Sequence, residues 1–259
     1  MLKISDVVKV IEDFAPLDLQ MEYDNCGLLY GDLDWVLKGV LVTLDTTPEV
    51  IKEAIKCGAN MIIEHHPSIF NAIKKIDLSY PKHKAITMAI KNDIAIYSAH
   101  TTVDFTKGGL NDYVMQLLGC STYELAFGNA CDMRVGKLPS KASLGELVDI
   151  VSKKFDDSNV TYVGNKEQII ETIAVINGGG GSHEETILEA KKAGADVFIS
   201  GDFKYNVLRL AKDINYPIIS LGHYTCELPF IKLITNILQN KNIYNVHGAT
   251  SCMNPLNQE

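Results

Sequence analysis

Residues 39–67, GVLVTLDTTPEVIKEAIKCGANMIIEHHP, decide the fold. Gly39 to Leu44 is a β-branched and leucine run, which predicts a strand. Thr47 followed by Pro48 reads as an N-cap with proline at the first helical position, and Gly58 as the residue that ends that helix. Asn60 to Ile63 is a second short apolar strand, closed by Glu64, His65, His66 and Pro67. Strand, helix and strand in so short a stretch predict a parallel βαβ unit, with two histidines at the exit of its second strand.

The same alternation runs outward in both directions. Ser5 opens a helix that ends before Pro16, and Glu22 to Asp32 reads as a loop. Lys82 to Lys91 is a helix, Ile94 to Tyr97 a strand, and Leu110 to Leu118 a helix closed by Gly119. Ser143 with Glu146 and Ser182 with Glu185 both fit a capping box at the start of a helix. Strands are expected near Val160–Val163, Thr172–Ile176, Val197–Ile199, Ile218–Leu221 and Ile243–Val246, with helices over Tyr205–Lys212 and Leu228–Gln239. Gly58-Ala59-Asn60 and Gly194-Ala195-Asp196 occupy matching helix-to-strand joints, which fits either an internal duplication or a common joint used twice. The expected fold class is α/β: two similar halves, residues 1–125 and 126–259, with largely parallel sheets facing a shared crevice and with terminal segments free to pack across the boundary.

Composition narrows the function. The 259 residues carry 24 Lys plus Arg against 32 Asp plus Glu, a net charge of −8. The only arginines are Arg134 and Arg209. An acidic chain without arginine forks is a poor reader of duplex nucleic acid and a poor binder of anionic membranes. No apolar run reaches the roughly 18 residues of a membrane helix, and Met1 to Pro16 reads as an amphipathic helix and not a signal peptide. A cytoplasmic location is expected. The six cysteines, at 26, 57, 120, 131, 226 and 252, are scattered with no C-x-x-C pair. This excludes a zinc knuckle and favours buried small side chains.

The chemistry lies with the histidines. Of seven, four follow apolar strands: His65, His66, His100 and His223. Asp104 comes four residues after His100, and Glu227 four after His223. Imidazole and carboxylate at strand exits suit Fe(II), Zn or Mn. Successive side chains of an extended chain diverge, so His65 and His66 suit two neighbouring ions. A helix starting near Tyr224 would align His223 with Glu227, whose carboxylate can bridge a pair. His65, His66, Asp104, His223 and Glu227 thus suffice for a dinuclear site with positions left for water, where two ions activate a hydrolytic water. His100, with an unperturbed pKa near neutrality, is the candidate catalytic proton shuttle. His83 and His247 read as structural or solvated, and His183 as either. Gly178 to Gly181 is neither a dinucleotide fingerprint nor a Walker loop; it is an anion nest or a tight turn.

Asp24-Asn25-Cys26-Gly27-Leu28, Glu64-His65-His66-Pro67, Ser98-Ala99-His100-Thr101 with Asp104, Gly201-Asp202, and Gly222-His223-Tyr224 with Glu227 occur in that order. Together they resemble the NIF-three-like family, whose members are often labelled GTP cyclohydrolase I type 2 homologs, in its short form without the middle domain. The resemblance implies two facing α/β parts, a two-metal site held by the same five residues, and a ring-shaped homohexamer. Asn206 stands where many relatives have His, Tyr23 where Trp is common, and Cys226 where Ser or Thr is common; none removes a ligand. The functions this leaves are a metal-dependent hydrolase of a nucleotide or another small cyclic substrate, a carrier of iron or another metal or a scaffold for metal-cofactor assembly, and a regulatory interaction protein.

Overall fold

The structure is a computed structural model and describes residues 1–125 and 133–256. Cys131 lies outside the described residues. In chain order the elements are α1 (Ile4–Phe14), β1 (Gly27–Tyr30), β2 (Val40–Thr43), α2 (Pro48–Cys57), β3 (Met61–Glu64), α3 (Pro81–Lys91), β4 (Ala95–Ser98), α4 (Thr101–Phe105) and α5 (Leu110–Leu117). Then come β5 (Tyr123–Leu125), β6 (Arg134–Ser143), α6 (Leu144–Phe155), β7 (Thr161–Val163), β8 (Ile169–Val175), α7 (Glu184–Lys192), β9 (Val197–Ser200), α8 (Tyr205–Asp213), β10 (Ile218–Ser220), α9 (His223–Glu227), α10 (Pro229–Asn240) and β11 (Val246–Gly248). No helix among the described residues is long and apolar enough to cross a membrane.

The chain forms two compact units. The first joins residues 1–106 to 230–259, and the second is 107–229. The first carries a five-stranded sheet in the order β1-β4-β3-β2-β11. Its β11–β2, β2–β3 and β3–β4 ladders are parallel, and β1 pairs antiparallel with β4 at the edge. The βαβ unit forms as its punctuation requires: the Thr47 side chain accepts from Val50 N–H, and Gly58 closes α2 in the left-handed region at φ +74°. The second unit carries a six-stranded sheet in the order β5-β6-β8-β9-β10-β7. Here β8–β9 and β9–β10 are parallel, and the pairings toward both edges are antiparallel.

The second unit shows why its central strands read as unbroken apolar runs. Ile173, Val175, Val197 and Ile199 pack with Leu144, Leu147 and Val151 of α6 and Val114 and Met115 of α5. The alternating partners Ala174, Phe198 and Ile218 pack with Ile187 and Ala190 of α7 and Val207 and Ala211 of α8. Both faces of the sheet are thus covered by helices, so no polar alternation survives. In the first unit β2, β3 and β4 are buried at every position.

Three local expectations change. The loop Glu22–Asp32 contains β1, which exists because Gly27 and Leu28 pair with Ser98 and Tyr97 of β4. Ser182 caps no helix: Gly178–Ser182 form a 3-10 turn, and His183 stands at the start of α7. The last strand begins at Val246, where the parallel register sets it against Val40. The Ser143–Glu146 capping box forms as read, with both reciprocal bonds present.

Candidate metal centre

The first unit places three histidines together by register alone. Parallel pairing sets Glu64 opposite Ser98, so the exits of β3 and β4 lie side by side. His65 and His66 leave the first and His100 leaves the second. Each offers a ring nitrogen within 4.8 Å of the others. The ring centroids of His65 stand 5.1 Å from those of His66 and His100, and His66 and His100 are 5.7 Å apart. His65 is fully buried, and Phe230 of α10 packs on its ring at 4.7 Å between centroids. Asp104 lies on α4, one turn beyond His100, with its Oδ1 shielded from solvent. It is not part of the three-histidine group.

Each of these rings is held at Nδ1. His65 Nδ1 lies 3.1 Å from the Ala99 carbonyl, which only accepts, so Nδ1 carries the hydrogen. His66 Nδ1 meets Asp45 Oδ1 at 3.2 Å, and His100 Nδ1 meets Asp24 Oδ1 at 2.9 Å. With the Nδ1 hydrogen donated, the lone pair of the neutral ring sits on Nε2, the form that ligates metal. Asp24 is itself built in: its other oxygen accepts from the Thr101 N–H at 3.1 Å, from the Thr101 hydroxyl, and from Cys26 Sγ at 3.2 Å. Burial opposes its charge, but the bonds from His100 and Thr101 outweigh burial and hold the carboxyl well below the usual carboxylate range. Burial pushes the neighbouring Cys26 thiol up to about 11, so this cysteine stays protonated. Behind the cluster, Glu64 is fully buried, and burial raises it to about 7 despite a 2.6 Å bond from the Ser68 N–H.

The second unit repeats the scheme at another strand exit. Ser200 of β9 pairs with Ser220 of β10, which sets Asp202 and His223 at adjacent ends. His223 Nδ1 lies 2.7 Å from Asp202 Oδ2. The short helix α9 brings Glu227 round, and its Oε2 stands 3.1 Å from His223 Nε2, the i and i+4 pairing expected from the sequence. Glu227 is 3% exposed. A ring nitrogen and a carboxylate oxygen this close are two donor atoms of the kind that ligate Fe(II), Zn or Mn.

Glycine makes room for this pair. Gly178 sits at φ +57°, and a Cβ there would stand 2.2 Å from Glu227 Oε1 and 3.5 Å from His223 Nε2. A Cβ at Gly201 would meet the Gly178 carbonyl at 2.6 Å and Cys226 Sγ at 2.7 Å. Cys226 Sγ in turn accepts from the Gly178 N–H at 3.1 Å. The glycine run is therefore a tight turn that lets backbone approach α9.

The remaining histidines stand elsewhere. His83 accepts from the Asp77 N–H, His247 on β11 bonds Asn245, and His183 flanks α7. Asn206 donates to Glu184. Of the cysteines, Cys120, Cys226 and Cys252 are buried, and Cys26 and Cys57 are partly so. Sequence reasoning missed the anchoring roles of Asp24, Asp45 and Asp202. Two of them sat in motifs already noticed, and the third directly follows a strand; an acid at a strand exit was the available signal.

Comparison with known proteins fits this geometry. The family described as Duf34/NIF3 (NGG1p interacting factor 3) matches residues 2–255. The chain is 36% identical over 244 residues to a GTP cyclohydrolase 1 type 2 homolog of Clostridium acetobutylicum, covering 92% of this chain and 90% of that one. It is 34% identical over 235 residues to the protein of that name from Clostridium perfringens, covering 89% and 88%. Among solved structures, reduced HcgD from Methanocaldococcus jannaschii superposes with a TM-score of 0.85 at 31% identity, over 96% of this chain and 98% of that one. A Bacillus cereus protein related to NIF3 shares the fold at a TM-score of 0.88 and 24% identity, over 100% and 99%.

Proposed function

The chain belongs to the Duf34/NIF3 family, and on that premise we propose that it is a metal-dependent hydrolase of a small cyclic or nucleotide substrate, built on a dinuclear centre held by His65, His66, Asp104, His223 and Glu227. The observation that carries this reading is the anchoring of every strand-exit histidine at Nδ1, by a carbonyl or a carboxylate. Ligating histidines are held in this way, whereas a merely solvated histidine needs no such partner. Nitrogen and carboxylate donors without thiolate suit Fe(II), Zn or Mn. The names of the relatives point in the same direction, since a cyclohydrolase opens a ring with water.

The donor set supports the following roles. His65 and His66, consecutive residues at one strand exit, would serve neighbouring ions. Glu227, with two carboxylate oxygens, would serve both. Asp104 and Glu227 offset only part of the charge of two dications, so the centre stays positive and favours an anionic substrate. When bound, two ions supply Lewis acidity and lower the pKa of a coordinated water. His100, fixed by Asp24 with its Nε2 lone pair toward His65 and His66, accepts a proton from the attacking water and returns it to the leaving nitrogen. The same reading carries a closed homo-oligomer, a hexamer, in the cytoplasm, which admits small molecules and excludes duplex nucleic acid.

Elemental analysis of stripped protein reloaded with iron, zinc or manganese tests the centre. About two ions per chain are expected, and none under any condition sinks the reading. Glu227→Ala should lose both ions together, and His66→Ala mainly one. His100→Gln should keep the ions and lose turnover in a screen of nucleotides and cyclic metabolites. A fully loaded protein that turns over nothing overturns the hydrolase and leaves a metal carrier. Light scattering reads the oligomer directly.

A further inference from the structure

The loop that follows the paired histidines builds a recess of its own. Residues 68–75 and the first turn of α3 line an open surface recess of about 290 Å³. Lys74, Lys75, Lys82, His83, Asn71 and Ser68 all line it, and no carboxylate does among the described residues. For a chain of net charge −8 this is a local reversal of sign. None of the three lysines has a carboxylate partner within 4.0 Å among the described residues, although this chain pairs Lys3, Lys9, Lys52, Lys137 and Lys141 with acids elsewhere.

Two further features make the recess an acceptor of anions. First, α3 begins here with Pro81 at its first position and Tyr80 as a cap without a side-chain acceptor. The positive end of an 11-residue helix therefore meets the recess uncapped. Second, the Asp77 N–H donates to His83 Nδ1 at 3.0 Å, so the neutral ring carries its hydrogen on Nε2 and presents a donor.

The position of the recess links it to the histidines. Ser68 and Lys82 also line a second cavity of about 520 Å³, whose wall includes His66 and its anchor Asp45. One cavity is thus basic, its neighbour opens on the histidine cluster, and the two share a wall. We propose that the basic recess holds the phosphate or pyrophosphate group of the small molecule acted on beside His66. Three lysines line this one recess without an arginine fork, which suits a compact polyanion better than a single carboxylate. The proposal rests on the hydrolase reading only for what happens to the rest of the molecule; the anion site stands on its own residues.

The experiment uses full-length, metal-stripped protein, so that no ion can bind the probe. Inorganic pyrophosphate, inorganic phosphate and GTP are titrated by calorimetry into wild type, Lys82→Glu and Lys74→Glu/Lys75→Glu, with citrate as a carboxylate control. One pyrophosphate per chain is expected, weakened by added salt, with GTP at least as tight and phosphate and citrate weaker. Each lysine variant should lose about tenfold or more in affinity while reloading metal as wild type does. His66→Ala should lose mainly one ion yet retain pyrophosphate binding. Unchanged binding in the lysine variants, or no binding to the wild type, overturns the recess and leaves the metal reading intact. Binding as expected in a protein that never loads metal overturns the link between the recess and the histidines.

Discussion

The two units each carry a ligand set, and they reach it by different means. In the first, the strands do the positioning. His65, His66 and His100 leave two adjacent parallel strands, and their rings pack against one another and against Phe230. In the second, one histidine and one acid sit on a five-residue helix, and the absence of side chains makes the space. Gly178 and Gly201 are the residues whose missing Cβ atoms admit Glu227 and Cys226. The first arrangement is held by packing and register, so it should resist single changes at its edge. The second depends on single atoms not being there, so it should fail at one substitution.

Gly178→Ala gives the largest expected break in that comparison. The new Cβ would stand 2.2 Å from Glu227 Oε1, in a backbone conformation at φ +57°. Left-handed strain costs about 1–2 kcal/mol, and overpacking adds about 1–3 kcal/mol. Gly58→Ala is the internal control: φ is +74°, but nothing lies within 4 Å of the added atom. It should show the strain alone. Thermal denaturation should rank the two variants clearly, and only Gly178→Ala should lower metal content. Equal losses in the two proteins would show that space around Glu227 is not limiting.

The anchoring carboxylates come next in size. Partners of ligating or catalytic histidines are worth about 10–100-fold in metal affinity or activity. Asp24 has a fully buried side chain and holds the proton shuttle His100 and Thr101, whereas the Asp202 side chain is 55% exposed. Asp24→Asn should therefore sit near the upper end of that range in turnover and should also cost stability, while the ions stay bound. Asp202→Asn should sit near the lower end in metal affinity, and Asp45→Asn, at 48% exposure, close to it. Metal titration with a competing chelator measures the two ligand anchors, and turnover with thermal denaturation measures Asp24. A larger loss of stability from Asp202→Asn than from Asp24→Asn would reverse the claim that the first unit's set is the better buttressed.

These carboxylates mark where the sequence stopped being legible. The strands were readable because both faces of each sheet are covered, leaving apolar runs such as Met61-Ile62-Ile63. The histidines were readable because they follow those runs, and the Glu227 pairing because four residues make one helical turn. The anchors were not, because register between distant strands creates them: Asp45 lies 21 residues from His66, and Asp24 lies 76 from His100. No spacing rule connects such positions. β1 was hidden for a related reason. It is a short antiparallel edge, preceded by the turn formers Asp24 and Asn25, and it owes its existence to β4. β5 and β6 were hidden because β6 carries Gly136, Pro139 and several polar residues, and a shift in register interrupts it between Lys137 and Ala142. The Ser182 box misled because Gly181 gives its N–H to Ser200 and the chain tightens into a 3-10 turn before α7 can start.

The smallest expected effect separates the units by how each is closed. The second is one continuous stretch, whereas the first needs residues 230–259 to return to it. Glu53 of α2 holds that return. Its carboxylate accepts from the Thr250 N–H at 2.9 Å, the Ser251 N–H at 2.9 Å and the Thr250 hydroxyl at 2.8 Å. Burial opposes its charge, but these bonds prevail and lower its pKa to about 2. A carboxyl depressed on folding adds stability above its ordinary value of 4.5, and that contribution is lost as the pH falls toward 2. Glu53→Gln should therefore cost about 1 kcal/mol at neutral pH, at the low end for hydrogen bonds to a charge because the site is partly exposed. The gap in Tm between variant and wild type should close between pH 4.5 and pH 2. Ser251 and Cys252 also line the cavity beside His66. Faster amide exchange over Val246–Ser251 should therefore accompany the loss at neutral pH, with no change in the amides of β8 to β10. A gap that stays constant down to pH 2, or exchange that rises equally in both units, would mean that Glu53 does not hold the first unit closed.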